Sequence, residues 1–341
     1  MPGSTGLPLA TRRVLRLATG TGLAATLAFG AGWPMAYLPV LLTVTLLAPA
    51  MPPPPVKQAL VVLVLMTLLC GWGLLLGPVL TFVPPAGVLL MLLGIALASY
   101  LAATPRLAII AALMTIGNTI IAVIARQSSA AALAIVQLMV LAMAIALVLT
   151  AICHALFPED AAPPPKTATP DPLLARWAGI RAAIIMAPPV LLALHNPGSY
   201  MMLMMKGALL SQQVEHSQTR TLARELIGST AIGGAIAIAI WLTLQAWPEL
   251  PLLVLLLMLA MLAVARPMYG AVASRFSFAF WQNVMVTIIL LLGPAVTDSE
   301  NGDGVLWLMA VRLLTFLALA VYAATMVRLL DGWRQRRLAL G

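Results

Sequence analysis

The sequence predicts an all-α polytopic membrane protein of about twelve transmembrane helices, arranged as two parallel six-helix repeats. Three observations predict it: an extreme apolar composition, apolar runs that are continuous, and charges that alternate from one junction to the next. Of 341 residues, 62% are hydrophobic and only 9% are charged. Soluble domains carry about 25% charged residues, so this chain could not cover a water-facing surface. In lipid every backbone polar group needs an internal partner, which leaves helices or a closed barrel. Barrel strands are short and alternate in hydropathy. Here the runs at 252–265 and 130–150 are continuous and rich in Leu, Ala and Met, which is the pattern of helices.

A span needs about 20 apolar residues. The segments read in order are 14–31, 35–50, 56–77, 85–103, 106–125, 129–156, 180–194, 199–211, 225–247, 250–265, 271–292 and 305–329. The seventh and eighth are short and would also suit a re-entrant pair. Thr11-Arg12-Arg13 before an apolar run resembles a twin-arginine export signal. No small-residue cleavage pattern follows it, so the first helix is expected to be retained.

The net charge of +9 would suggest nucleic acid in a soluble protein. Its distribution argues otherwise. Arg12, Arg13 and Arg16 precede the first segment. Lys57, Arg106, Lys166, Arg176, Arg181, Lys206, Arg220, Arg224, Arg266, Arg275, Arg328, Arg334, Arg336 and Arg337 fall at even-numbered junctions or near the C-terminus. The opposite junctions hold Arg126, and instead carry Glu249, Asp298, Glu300 and Asp303. Basic loops stay on the cytoplasmic side, so both termini are expected there, in a bacterial inner membrane.

Residues 158–175, with Pro163-Pro164-Pro165, read as a cytoplasmic linker between a first half, 1–157, and a second, 176–341. Six spans per half give both halves one orientation, as in parallel-repeat transporters. Asn118 lies mid-span in the fifth segment and Asn283 mid-span in the eleventh, its counterpart. Pro34, Pro39 and Pro49 interrupt the start of the first half, as Pro188, Pro189 and Pro197 do in the second. Broken helices at matching positions point to a transport site, although proline is also simply common in membrane helices.

Two stretches resemble the fusaric acid resistance and aromatic acid exporter superfamily. The first runs from Arg16-Leu-Ala-Thr-Gly-Thr-Gly22 to Gly32-Trp33-Pro34-Met-Ala-Tyr37-Leu-Pro39. The second, Arg220 to Gly234, is similar to that family's Arg-x-x-Gly-Thr-x-x-Gly signature, with Trp247-Pro248 and Gly293-Pro294 following. Ser229-Thr230 stands after Gly228 where Gly-Thr is the family pattern, and the large cytoplasmic domain of many relatives has no counterpart. The resemblance implies proton-driven export of small aromatic or hydrophobic organic acids or drugs, together with a periplasmic membrane fusion protein.

Enzyme signatures are absent from the sequence. There is no phosphate-binding G-x-x-x-x-G-K-[ST], no H-E-x-x-H and no G-x-S-x-G. Cys70 and Cys153 have no metal or redox spacing and read as buried thiols. No cofactor or metal is expected. Asn118 and Asn283 could offer amides to a substrate carboxylate, or could form interhelical hydrogen bonds worth about 0.6–2 kcal/mol. Arg312, in the last segment, could hold an organic anion, pair with Asp298, Glu300 or Asp303, or snorkel to the outer interface. Glu215, His216, Arg220 and Arg224 form a polar inner mouth, able to gather anions or simply to be a solvated turn. The stripes Gly20/Ala24/Ala28 and Ala231/Ala235/Ala239 allow close helix approach. Met201, Met202, Met204 and Met205 could give an adaptable apolar surface, but read first as lipid-facing filler. Efflux is the leading expectation. A passive organic-anion channel and a non-transporting scaffold for the adaptor are the alternatives, and a homo-oligomer is compatible with any of them. The shortage of carboxylates inside the spans counts against proton coupling.

Overall fold

A computed structural model describes residues 7–104, 107–160, 172–213, 219–298 and 304–339. Twelve helices make up the fold among these residues. The first six are α1 (Leu9–Gly30), α2 (Tyr37–Leu47), α3 (Val56–Phe82), α4 (Pro84–Ala102), the composite α5 and α6 (Ser129–Leu156). Helix α5 runs through Ala108–Ile116, a π-helical turn Gly117–Ile121, and Ala122–Gln127. The last six are α7 (Pro172–His195), α8 (Pro197–Gln213), α9 (Thr219–Ala246), α10 (Leu250–Met268), α11 (Phe278–Asp298) and α12 (Val305–Ala339). Prolines in the first turns of α4, α7, α8 and α10 lie where a missing N–H has no intrahelical partner to lose.

Nine of these helices are long and apolar enough to cross a membrane, all but α1, α2 and α8. The protein is therefore a multi-pass membrane protein. The exposed faces of α3 and α4 carry Leu60, Val64, Leu68, Leu75, Leu89 and Leu93, a surface suited to acyl chains and not to water.

Several element boundaries differ from the sequence reading. The second segment, expected over 35–50, is the 11-residue α2. At 1.5 Å per residue it is about 17 Å long, well short of a roughly 30 Å hydrocarbon core. Pro49 and Pro52–Pro55 prevent its extension. The seventh, expected to be short, is the continuous 24-residue α7, with Pro188 and Pro189 inside it. Packing on neighbours holds a helix across prolines that propensity alone would break. The stripe Ala231/Ala235/Ala239 is exposed; Gly233, Gly234 and Ala237 form the buried face of α9 instead. Met201, Met204 and Met205 are buried, not lipid-facing.

The chain forms two compact units. Unit 1 comprises 1–59, 141–164 and 228–314; unit 2 comprises 60–140, 165–227 and 315–341. Each draws on both sides of the 158–175 segment. In unit 1, α1 packs on α2 and α10, α2 packs on α11, and α10 packs on α11. In unit 2, α7 packs on α8 and α4, α8 packs on α5, and α4 packs on α5. Glycines permit the tightest approaches. A Cβ on Gly73 of α3 would lie 2.0 Å from the carbonyl oxygen of Gly117, and one on Gly179 of α7 would lie 2.5 Å from that of Ala96.

Candidate functional site

Unit 1 contains a cavity of about 810 Å³ where α1 ends, α2 begins, α9 ends, α10 begins and α11 ends. Ligand pockets occupy roughly 300–1,000 Å³ and pair apolar walls with a few polar groups. Phe29, Trp33, Trp241 and Leu253 supply apolar wall here, and Gln245, Glu249 and Thr297 supply polar groups. Trp241 is 7% exposed, and its indole Nε1–H has no hydrogen-bond partner among the described residues. A buried Trp N–H ordinarily finds an acceptor, and this one is itself buried in the cavity wall. The wall between α1 and α2 is a tight loop with Gly32 at φ +62° and Met35 at φ 58°. A left-handed non-glycine residue costs about 1–3 kcal/mol and is typical of functional loops.

A smaller cavity of about 280 Å³ lies in unit 2, where α3 meets α4 and α5 and α7 end. Its polar groups are Arg126 and His195. The Arg126 guanidinium donates to the carbonyl of Leu194 at 2.7 Å.

At the other end of α1 from the large cavity, unit 1 carries an ion cluster. Arg16 is fully buried and pairs with Glu159 at 2.7 Å. Arg13 pairs with the same carboxylate, and Arg12 pairs with Asp160 at 2.8 Å. Burial alone would raise the Glu159 carboxyl, but hydrogen bonds from Arg13 and Arg16 outweigh it and hold the group below its ordinary value. In unit 2 the N-terminal part of α7 meets α12: Trp177 donates to Asp331 at 2.9 Å, and Arg181 pairs with Asp331 at 3.3 Å.

Pro34, one of the prolines that interrupt the start of the first half, lines the large cavity, whereas Asn118, Asn283, Arg312, Pro39, Pro188 and Pro189 do not. Asn118 is fully buried in the π-helical turn of α5. Its Nδ2 donates to the Met91 carbonyl at 2.5 Å, while its Oδ1 has no partner among the described residues. Gly94 leaves the room this amide fills. Asn283 is 2% exposed in α11, and its Nδ2 donates to the Ser229 hydroxyl at 2.6 Å. Ser229 is thus an acceptor for Asn283. Pro39 is buried near the start of α2, and its carbonyl accepts from Thr43 at 2.7 Å. Pro188 and Pro189 lie within α7. Arg312 is part-buried in α12; its expected partners Asp298, Glu300 and Asp303 have side chains outside the described residues, as do Glu215, His216 and the side chain of Arg220. Arg224 is exposed.

Lys206 overturns its sequence reading. It counts among the charges of the even-numbered junctions, yet it is fully buried in the middle of α8. Sequence reasoning also passed over Trp241 and treated Glu249 only as a loop charge. The available signals were Trp33-Pro34 and Trp247-Pro248, two aromatic–proline corners flanking helix starts that converge on one cavity.

A family model described as a protein of unknown function (DUF2955) matches residues 13–153. The first half of the chain is similar to that family. The matched stretch begins in α1 and ends within α6. No curated protein and no solved structure matches.

Proposed function

We propose that this chain is the inner-membrane subunit of an efflux system that exports small aromatic or hydrophobic organic molecules, organic acids foremost. The observation that carries the reading is the cavity of about 810 Å³ in unit 1, with Trp33, Trp241 and Glu249 in its wall. Its aromatic faces suit a planar apolar ligand, and the unsatisfied Trp241 N–H suits an acceptor such as a carboxyl or phenol oxygen. Charge asymmetry supports orienting this end outward, since Glu249 and Asp298 lie there and most arginines lie at the opposite junctions. A carboxylate at an outer vestibule disfavours rebinding of a released anion. Resemblance to the fusaric acid resistance and aromatic acid exporter superfamily supports proton drive and a periplasmic membrane fusion partner.

Two parallel six-helix repeats are part of this reading. The packing order in unit 1, first and second helices of one half against fourth and fifth of the other, recurs in unit 2 with the halves exchanged. Arg16 and Arg181 stand 165 residues apart, and so do Asn118 and Asn283. Short second helices, α2 and α8, occur in both halves.

The test is transport in proteoliposomes under an imposed pH gradient, with 4-hydroxybenzoate as substrate. Uphill movement abolished by a protonophore is expected. Flux that only runs downhill would mean a passive channel. No flux, with an adaptor co-purifying, would mean a scaffold. Asn118→Ala and Asn283→Ala are each expected to lower the rate at normal expression, and full activity in both would remove the asparagines from the pathway.

A further inference from the structure

The large cavity of unit 1 has a definite sign. Among the described residues that line it, Glu249 is the only ionisable one, and Lys, Arg and His are absent. The stretch that joins Thr297 to Gly304, both in the wall, contains Asp298, Glu300 and Asp303 and no basic residue. Those three side chains lie outside the described residues, so the argument for a site stands on Glu249.

The fold does not use this carboxylate. Glu249 occupies the N-cap position of α10, where a side-chain oxygen often accepts from the first free N–H groups of the helix. Its side chain makes no such bond. It forms no ion pair among the described residues either, and it is exposed. The backbone supplies no counter-charge. Helices α2, α10 and α12 begin at the cavity, while α1, α9 and α11 end there. Helix starts carry partial positive charge and helix ends partial negative charge. Three of each leave little net sign, and the formal charge of Glu249 decides it.

The aromatic wall favours the same sign of ligand. Phe29, Trp33 and Trp241 line the cavity. The face of an aromatic ring is electron-rich and attracts a cation within about 6 Å of its centre, Trp most strongly. A flat ligand with a delocalised positive charge therefore meets both the rings and the carboxylate. A carboxylate ligand meets the rings but is repelled by Glu249. The Gln245 amide and the Thr297 hydroxyl, also in the wall, can donate or accept and do not discriminate. Unit 2 has the opposite sign: its smaller cavity carries Arg126 and His195 and no carboxylate among its lining residues.

We propose that the unit 1 cavity binds flat organic cations, with Glu249 as counter-charge and Trp33 and Trp241 as ring faces. The proposal rests on the cavity of the efflux reading above and adds a cationic class of substrate to the organic acids. An acid meets the same cavity without help from Glu249.

The experiment uses the full chain in nanodiscs of zwitterionic lipid, with empty nanodiscs correcting for partition into the bilayer. Equilibrium dialysis at neutral pH measures binding of labelled 1-methylquinolinium, a flat cation, and of 4-hydroxybenzoate, a flat anion. Wild type is expected to bind the cation saturably. Glu249→Gln is expected to weaken cation binding at least about tenfold and to tighten 4-hydroxybenzoate, because a like charge has gone. Glu249→Asp, which keeps the charge, is expected to retain most of the cation affinity. Trp33→Leu is expected to weaken the cation about two- to fivefold, and serves as the test if the Glu249 variants do not fold. Cation affinity unchanged in Glu249→Gln, or in Trp33→Leu, overturns the proposal. Equal weakening of both ligands by Glu249→Gln also overturns it, since that marks a structural role. Wild type that binds 4-hydroxybenzoate and not 1-methylquinolinium overturns it and leaves the efflux reading intact. Binding of neither ligand overturns it and removes the cavity from the efflux reading as well. Saturable cation binding that depends on Glu249 upholds the site even where the flux assay shows no transport, in which case the efflux reading alone falls.

Discussion

Units 1 and 2 show the same packing order of helices, yet they differ in their polar surroundings. The helix-end cavity of unit 1 is about 810 Å³ and carries Glu249, while that of unit 2 is about 280 Å³ and carries Arg126 and His195. Unit 1 seals its asparagine with Ser229, and unit 2 leaves one oxygen of Asn118 without a partner among the described residues. Unit 1 buries Thr43 in its short helix α2, and unit 2 buries Lys206 in its short helix α8. A shared packing order therefore constrains the apolar contacts and leaves the polar positions free to diverge.

Breaking the two ion clusters should give the largest contrast. Glu159→Gln leaves the fully buried Arg16 without its carboxylate, and losing one partner of a buried pair costs about 3–5 kcal/mol. Asp331→Asn in unit 2 removes a partly exposed partner and is expected to cost about 1 kcal/mol or less. Denaturant titration in detergent measures both. The same carboxylate predicts a pH dependence. Glu159 is held below its ordinary value of 4.5, so its contribution is complete above that pH and is lost as pH falls through the lower native value. Wild type should therefore lose stability on acidification below about 4.5 more steeply than Glu159→Gln.

The glycine crossings come next. Gly73→Ala puts a methyl 2.0 Å from a backbone oxygen, whereas Gly233→Ala in unit 1 meets Thr287 Cβ at 2.7 Å and the Val284 carbonyl oxygen at 2.8 Å. Overpacking costs about 1–3 kcal/mol, and Gly73→Ala is expected at the upper end, Gly233→Ala at the lower. Equal losses would mean that the two crossings are equally tight. Trp241→Phe is expected to cost about 1 kcal/mol, from the smaller ring alone, because the lost N–H has no protein partner among the described residues. Its transport KM should nonetheless rise several-fold. An unchanged KM would remove Trp241 from the substrate path.

Much of this was legible in one dimension. Long apolar runs such as 56–82 and 129–156 need no tertiary information to be helices, because lipid permits little else. Asn118 and Asn283 stood out because amides are rare in such runs. Lys206 was misread because a lysine near a short, proline-flanked segment looks like a junction charge, and burial depends on neighbours from α7 and α12. Helix α2 was overextended because hydropathy continued into a proline cluster.

By itself the sequence determined the solvent, the helical class, the number of elements within narrow limits and the spacing of the paired residues, since all of these follow from local composition and backbone hydrogen bonding. Only the tertiary structure decided that each compact unit mixes both halves of the chain, that Glu159 closes on Arg13 and Arg16, that Trp33 and Trp241 share one cavity, and that Lys206 lies inside. These depend on contacts between residues far apart in the chain, which glycine approaches and side-chain volumes select and which no local pattern encodes.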